Sequence, residues 1–165
     1  MIYRLIFLSV VLGVAMAGFR ENMHKCGRFM RPGGMECCKA ELQKKPPSDD
    51  LKECFQLPMR PPSCEREICI GKKKGFGNED GKVDKAAFAA YIDKELEQNA
   101  DLAKAIKEKC LDGDLTKYGP ADMCDLVKVK FCVDIQMIAN CPEWDDKGPC
   151  AGIKDDVAEC LKLFA

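Results

Sequence analysis

Downstream of residue 63 the apolar positions recur at intervals of three and four, a period that predicts helices. The segment 84–98 sets Phe88, Tyr91, Ile92 and Leu96 on one face, with Asp84 placed to cap its start. The segment 101–110 repeats the pattern with Leu102, Ile106 and Cys110 and ends at Asp112-Gly113-Asp114. The longest predicted helix, 120–140, has Pro120 in its first turn and stops before Pro142. Its buried stripe is Met123 or Cys124, then Val127, Phe131, Ile135 and Ile138. A last helix, 153–164, turns Ile153, Val157, Cys160 or Leu161, and Phe164 inward.

The front half is more broken. Residues 18–34 show no sustained period and read as an irregular arm tied down through Cys26. Residues 35–45 predict a short helix that Pro46-Pro47 terminates. Ser48 is placed as the N-cap of a second, running through Phe55 with Asp49 and Asp50 in its first turn. Pro58, Pro61 and Pro62 then form a rigid link to a third, 63–70. Strand alternation, fixed-period repeats and low-complexity tracts are absent from the sequence. The expected fold is all-α, a compact bundle of six or seven short helices. Helices this short are marginal alone, so packing and cross-links have to hold them.

The cysteines supply the cross-links. There are twelve, at 26, 37, 38, 54, 64, 69, 110, 124, 132, 141, 150 and 160. An even number at this density is that of a disulfide scaffold. The first seventeen residues support the same reading: Arg4, an apolar run from Leu5 to Ala15, and Ala15-Met16-Ala17 form a signal peptide with a small-x-small cleavage site. The run falls short of the roughly 20 residues that span a membrane, so no stable membrane insertion is expected. Export would leave residues 18–165 as one domain in an oxidising, extracellular compartment with every thiol paired. Cys37 and Cys38 are adjacent in a predicted helix, where consecutive side chains diverge by about 100°, and should take different partners.

Candidate chemistry is thin. Lysine plus arginine total 26 against 27 acidic residues, interspersed, which predicts no nucleic-acid partner. Lys72, Lys73 and Lys74 precede Gly75-Phe76-Gly77 without a phosphate-loop pattern. Asn78, Asp80 and Gly81 fall at the third, fifth and sixth places of a calcium-loop register. Phe76 and Ala87 occupy its first and twelfth, where an Asp and a bidentate Glu are required. With no C-x-x-C and His24 as the single histidine, structural zinc has no ligand set. No metal or cofactor is expected. Catalysis is poorly served too. A secreted phospholipase needs a His-Asp pair after its Cys-Cys, and here Lys39, Ala40 and Glu41 follow Cys38. One histidine in the arm leaves Ser-His and Cys-His nucleophiles unsupported. The protein is read as no enzyme.

The spacings of Cys64, Cys69, Cys110, Cys132 and Cys141, with Cys132-x8-Cys141 running directly into Pro142, resemble those of insect odorant-binding proteins. The extra Cys124 and Cys150 or Cys160 are similar to the twelve-cysteine Plus-C subgroup, and the likeness covers Cys26 to Cys160. Four residues separate Cys64 from Cys69, where three are usual in the family. The resemblance implies bridges Cys64–Cys132 and Cys110–Cys141, and Cys69 with Cys37 or Cys38, of which Cys38 is preferred. It also implies a secreted carrier, monomeric or weakly dimeric, that takes small hydrophobic odorants or pheromones through aqueous fluid to an odorant receptor. A stapled helical bundle suits that task, because cross-links oppose the collapse of an apolar cavity. The available lining is Phe88, Tyr91, Ile92, Ile106, Val127, Phe131, Ile135 and Phe164, with Tyr91 placed to orient a ligand's polar group. A protein-interaction or defence module on the same scaffold is the alternative, since fold does not fix function. With His24 outside every lining helix, and absent a buried carboxylate of raised pKa, affinity should stay flat between about pH 7.5 and 5.5.

Overall fold

Asp84 caps a helix as its position predicts, its Oδ1 accepting from the backbone N–H of Ala87 at 3.0 Å. The computed structural model describes residues 26–27, 34–39, 48–58 and 63–164. The predicted signal segment 1–17, His24, most of the predicted arm, residues 40–47, and Pro61 and Pro62 lie outside them. The chain divides into two compact units, a central one within Ala40–Cys141 and a terminal one made from Met1–Lys39 and Pro142–Ala165.

Among its described residues the central unit holds four α-helices: α1 (Glu65–Lys74), α2 (Lys85–Glu95), α3 (Ala100–Ile106) and α4 (Asp125–Ala139). α1 continues past the predicted 63–70 to Gly75, whose φ of 80° closes the last turn in a conformation that glycine adopts freely. Lys72, Lys73 and Lys74 thus occupy its C-terminal turn, where positive charge suits the helix dipole. Each also meets an acid: Glu79 at 2.6 Å, Glu53 at 2.9 Å and Asp50 at 3.7 Å. Asn99 caps α3 through Leu102 N–H at 3.1 Å, and α3 runs on as a π-helical turn, Lys107–Leu111, that carries Cys110.

The helices expected over 48–55 and 120–140 need correction. The predicted helix through Ser48–Phe55 is two 3₁₀ turns, Asp49–Leu51 and Cys54–Gln56. Ser48 stands at the N-cap position of the first of them, as expected, but makes no side-chain cap hydrogen bond; its hydroxyl serves the Asp50 carboxylate and Lys74 Nζ instead. The 120–140 helix begins only at Asp125. Pro120 lies in a turn closed by Met123 N–H on its carbonyl, after a 3₁₀ turn at Leu115–Tyr118. Leu126 N–H donates to Gly81 at 3.0 Å, so the start of α4 is tied to the loop before α2.

In α4 the residues Leu126, Val127, Lys128, Val129, Cys132, Ile135 and Ile138 are buried, wrapping most of its circumference, as befits the helix at the centre of the unit. It packs on α1, on α3 with its π turn, and on the Leu115–Tyr118 turn, while α2 packs on α3.

In the terminal unit, the described part of the predicted 35–45 helix is a 3₁₀ turn, Met35–Cys37, after which Cys38 is extended (φ −81°, ψ 125°). The backbone polar groups there find partners across an antiparallel bridge to Trp144 instead of along a helix: Lys39 N–H donates to Glu143 and Asp145 N–H to Cys37. The fifth helix, α5 (Ile153–Leu161), buries Ile153, Val157 and Cys160 as expected. The described residues contain no strand beyond isolated bridges, so the fold is all-α.

Every cysteine is disulfide-bonded and none is free. Cys37 pairs with Cys150, so it and Cys38 do have different partners, and Cys26 pairs with Cys160. The three bridges implied by the family resemblance do not occur. Cys64 joins Cys124, not Cys132, because these two residues stand at the N-terminal ends of the packed helices α1 and α4, with Cα atoms 6.4 Å apart. Cys110 joins Cys132, not Cys141, since the π turn seats it on the middle of α4 at a Cα separation of 5.6 Å. Cys69 joins Cys54, not Cys37 or Cys38. The fourth residue in the gap turns Cys69 about a further 100° around α1, and there it meets the Cys54–Gln56 turn.

Candidate functional site

The central unit contains an apolar cleft of about 260 Å³, at the small end of ligand sites. Its walls are three helices and one loop residue. α1 contributes Glu67 and Ile70, α2 contributes Phe88, Tyr91 and Ile92, and α4 contributes Leu126, Val129, Lys130 and Val133. Phe55 stands at the edge, 41% exposed, with the Arg66 guanidinium 5.7 Å from its ring centre.

The loop residue, Phe76, is pinned from both sides. Its N–H and that of Gly77 donate to Gly71 O at 2.9 and 3.0 Å, and its carbonyl accepts from Asp84 N–H at 2.8 Å. The loop folds this tightly onto α1 because Gly71 and Gly77 lack side chains: a Cβ on Gly77 would lie 2.9 Å from Gly71 Cα. The Phe76 ring therefore meets Phe88 edge-on at 4.8 Å between centroids and Tyr91 at 5.1 Å, with Phe88 and Tyr91 6.2 Å apart. Those separations suit attractive aromatic contact.

Of the sequence-predicted lining residues, Phe88, Tyr91 and Ile92 come together at the cleft. The others do not line it. Ile106, Val127 and Ile135 are buried core, Phe131 is half-buried with Lys130 Nζ 5.8 Å from its ring centre, and Phe164 belongs to the terminal unit. Sequence reading missed Phe76, Glu67 and Ile70, together with the second apolar stripe of α4, Leu126, Val129 and Val133. That stripe has helical spacing and was legible, whereas a loop phenylalanine leaves no period to read.

Polar groups are few. Glu67 is only 8% exposed, and burial raises its carboxyl above the ordinary range, against the attraction of Lys130 and Arg66. This is the buried carboxylate whose absence the flat pH response assumed, so that expectation loses its premise. Lys130 Nζ contacts the Asp134 carboxylate one turn along α4, and burial also raises Asp134. Tyr91 is raised as well, by burial first and the Glu95 charge second.

The Gly75–Gly81 loop is a folded turn. Asn78 Oδ1 accepts from the N–H groups of Asp80 and Lys82 at 3.1 and 2.9 Å, which uses the oxygen a cation would need. Among the described residues no cluster of three His, Cys, Asp or Glu side chains is placed to hold a metal ion, and no helix is long and apolar enough to cross a membrane. Comparison of the chain with protein-family profiles, curated proteins and solved structures gives no match.

Proposed function

We propose that this protein is a secreted carrier of small hydrophobic molecules, of the odorant-binding kind that its cysteine spacing resembles. The observation that carries the reading is the apolar cleft between α1, α2 and α4, walled by Phe76, Phe88, Tyr91 and Ile92 inside a framework fastened by Cys64–Cys124, Cys54–Cys69 and Cys110–Cys132. Such a framework keeps a cleft open, because the cross-links remove freedom that would let the helices close on it. Twelve paired cysteines also favour an oxidising compartment, which supports export. The bridges that differ from the family's expected pairing leave the helical scaffold and the cleft in place, so the reading rests on the cleft and not on connectivity. The test is displacement of bound N-phenyl-1-naphthylamine by a panel of volatile terpenoids, esters, alcohols and hydrocarbons. Saturable displacement by several of them is expected. Failure of the whole panel to displace the fluorophore would overturn the carrier reading.

A further inference from the structure

Among the described residues Glu67 is the one acidic residue of the cleft wall, and none of them donates a hydrogen bond to its carboxylate. The charged groups facing it are all engaged elsewhere. On its own helix, Arg66 gives Nε and Nη2 to the Leu57 carbonyl at 3.0 and 2.6 Å and Nη2 to the Phe55 carbonyl at 2.8 Å. On α4, Lys130 contacts Asp134, the other acid whose charge reaches Glu67. On α2 the cleft-lining side chains are Phe88, Tyr91 and Ile92, with the charge of Glu95 felt at Tyr91. A buried carboxylate with no donor is costly, and native structures retain such groups for a reason.

We infer that the cleft selects a small apolar amine, whose ammonium group donates to the Glu67 carboxylate while its hydrocarbon body packs among Phe76, Phe88, Tyr91 and Ile92. The inference rests on the carrier reading and adds the head group. Two features favour a cation over a neutral donor, and a third disfavours an anion. The acceptor is a carboxylate, and charge-assisted hydrogen bonds are about twice as strong as neutral ones. The same wall holds three aromatic rings in mutual contact, whose faces attract cations. A carboxylic acid in that position would set like charge against Glu67. The volume of about 260 Å³ limits the body to a small hydrocarbon group.

The experiment is calorimetric titration of the disulfide-bonded chain at pH 7.5 with four molecules of similar size: 2-phenylethylamine, 2-phenylethanol, ethylbenzene and phenylacetate. The amine should bind roughly tenfold or more tighter than the alcohol and the hydrocarbon, with phenylacetate weakest. In Glu67→Gln the amine should fall to the level of the alcohol while ethylbenzene stays within about twofold of wild type, which also reports that the cleft is intact. Lowering the pH of wild type toward the carboxylate range should weaken the amine and leave ethylbenzene unchanged, because protonating Glu67 removes the acceptor. Equal binding of all four would overturn this inference and leave the carrier reading standing. Binding of none would overturn both.

Discussion

Gly77→Ala tests how the cleft is built. The added methyl would sit 2.9 Å from Gly71 Cα, 3.1 Å from Gly71 C and 3.0 Å from Leu126 Cδ1. Carbon atoms rest comfortably at about 3.5–4.0 Å, so the loop must lift from α1 by about half an ångström. Two of the three obstacles are backbone, and the hydrogen bonds from Phe76 and Gly77 to Gly71 O resist the shift. Overpacking of this kind costs about 1–3 kcal/mol, and alanine returns about 0.4–1 kcal/mol by restricting the unfolded chain. The net loss should be about 1–2 kcal/mol, a fall of roughly 5–15 °C in the unfolding temperature for a unit of this size. Far-ultraviolet circular dichroism during heating, disulfides intact, reads it. Because Phe76 moves with the loop, affinity for N-phenyl-1-naphthylamine should fall as well. Gly75→Asn is the control: nothing lies within 4 Å of its Cβ position, and asparagine tolerates the φ of 80°, so stability should change by less than about 1 kcal/mol. Wild-type stability and affinity in Gly77→Ala would refute the close approach as the device that places Phe76.

Further outcomes follow from the same geometry. Ile135→Ala, at a residue 1% exposed in the middle of α4, should cost about 2–5 kcal/mol in denaturant unfolding, and a loss below 1 kcal/mol would contradict its place in the core. Glu67→Gln should be more stable than wild type at neutral pH. The raised native pKa means the folded state holds its proton more tightly than the unfolded chain, so wild-type stability declines as pH rises from the ordinary carboxylate value to the raised one. The advantage of the variant should vanish below about pH 4, and a gain that persists in acid would show that burial of the charge is not its cause. Thiol titration of the denatured, unreduced protein should find no free thiol, and peptide mapping should recover Cys64–Cys124 and Cys110–Cys132; a Cys64–Cys132 peptide would contradict the pairing.

The helices that bury a single face were legible in the sequence. The stripe of α2 from Phe88 to Ile92 and that of α5 from Ile153 to Cys160 emerged where spacing put them, and the caps at Asp84 and Asn99 begin α2 and α3 close to the expected residues. Where tertiary partners take over the backbone, periodicity misled. Cys38 pairs with Trp144 instead of continuing a helix, and the carbonyl of Gly81 holds the start of α4 five residues beyond Pro120. α4 misled in another way: apolar on most of its surface, it offered two stripes, and the one through Val127, Ile135 and Ile138 faces core while Leu126, Val129 and Val133 face the cleft. Glu67 carries no signal in the sequence, because only the fold reveals that its carboxylate is buried without a donor among the described residues. Disulfide pairing was illegible for a plain reason. Spacing along the chain does not say which helix ends meet in space.

The cleft between α1, α2 and α4 is the proposed ligand site. Saturation fluorescence with N-phenyl-1-naphthylamine, on wild type and on Val133→Trp, tests it most directly, because Val133 is half-buried on the cleft wall and an indole there occupies the space without replacing a core residue. Wild type should bind the fluorophore at one saturable site, and Val133→Trp should lose that binding while keeping its helical spectrum. Equal saturable binding by the two proteins, or none by wild type, would contradict the claim.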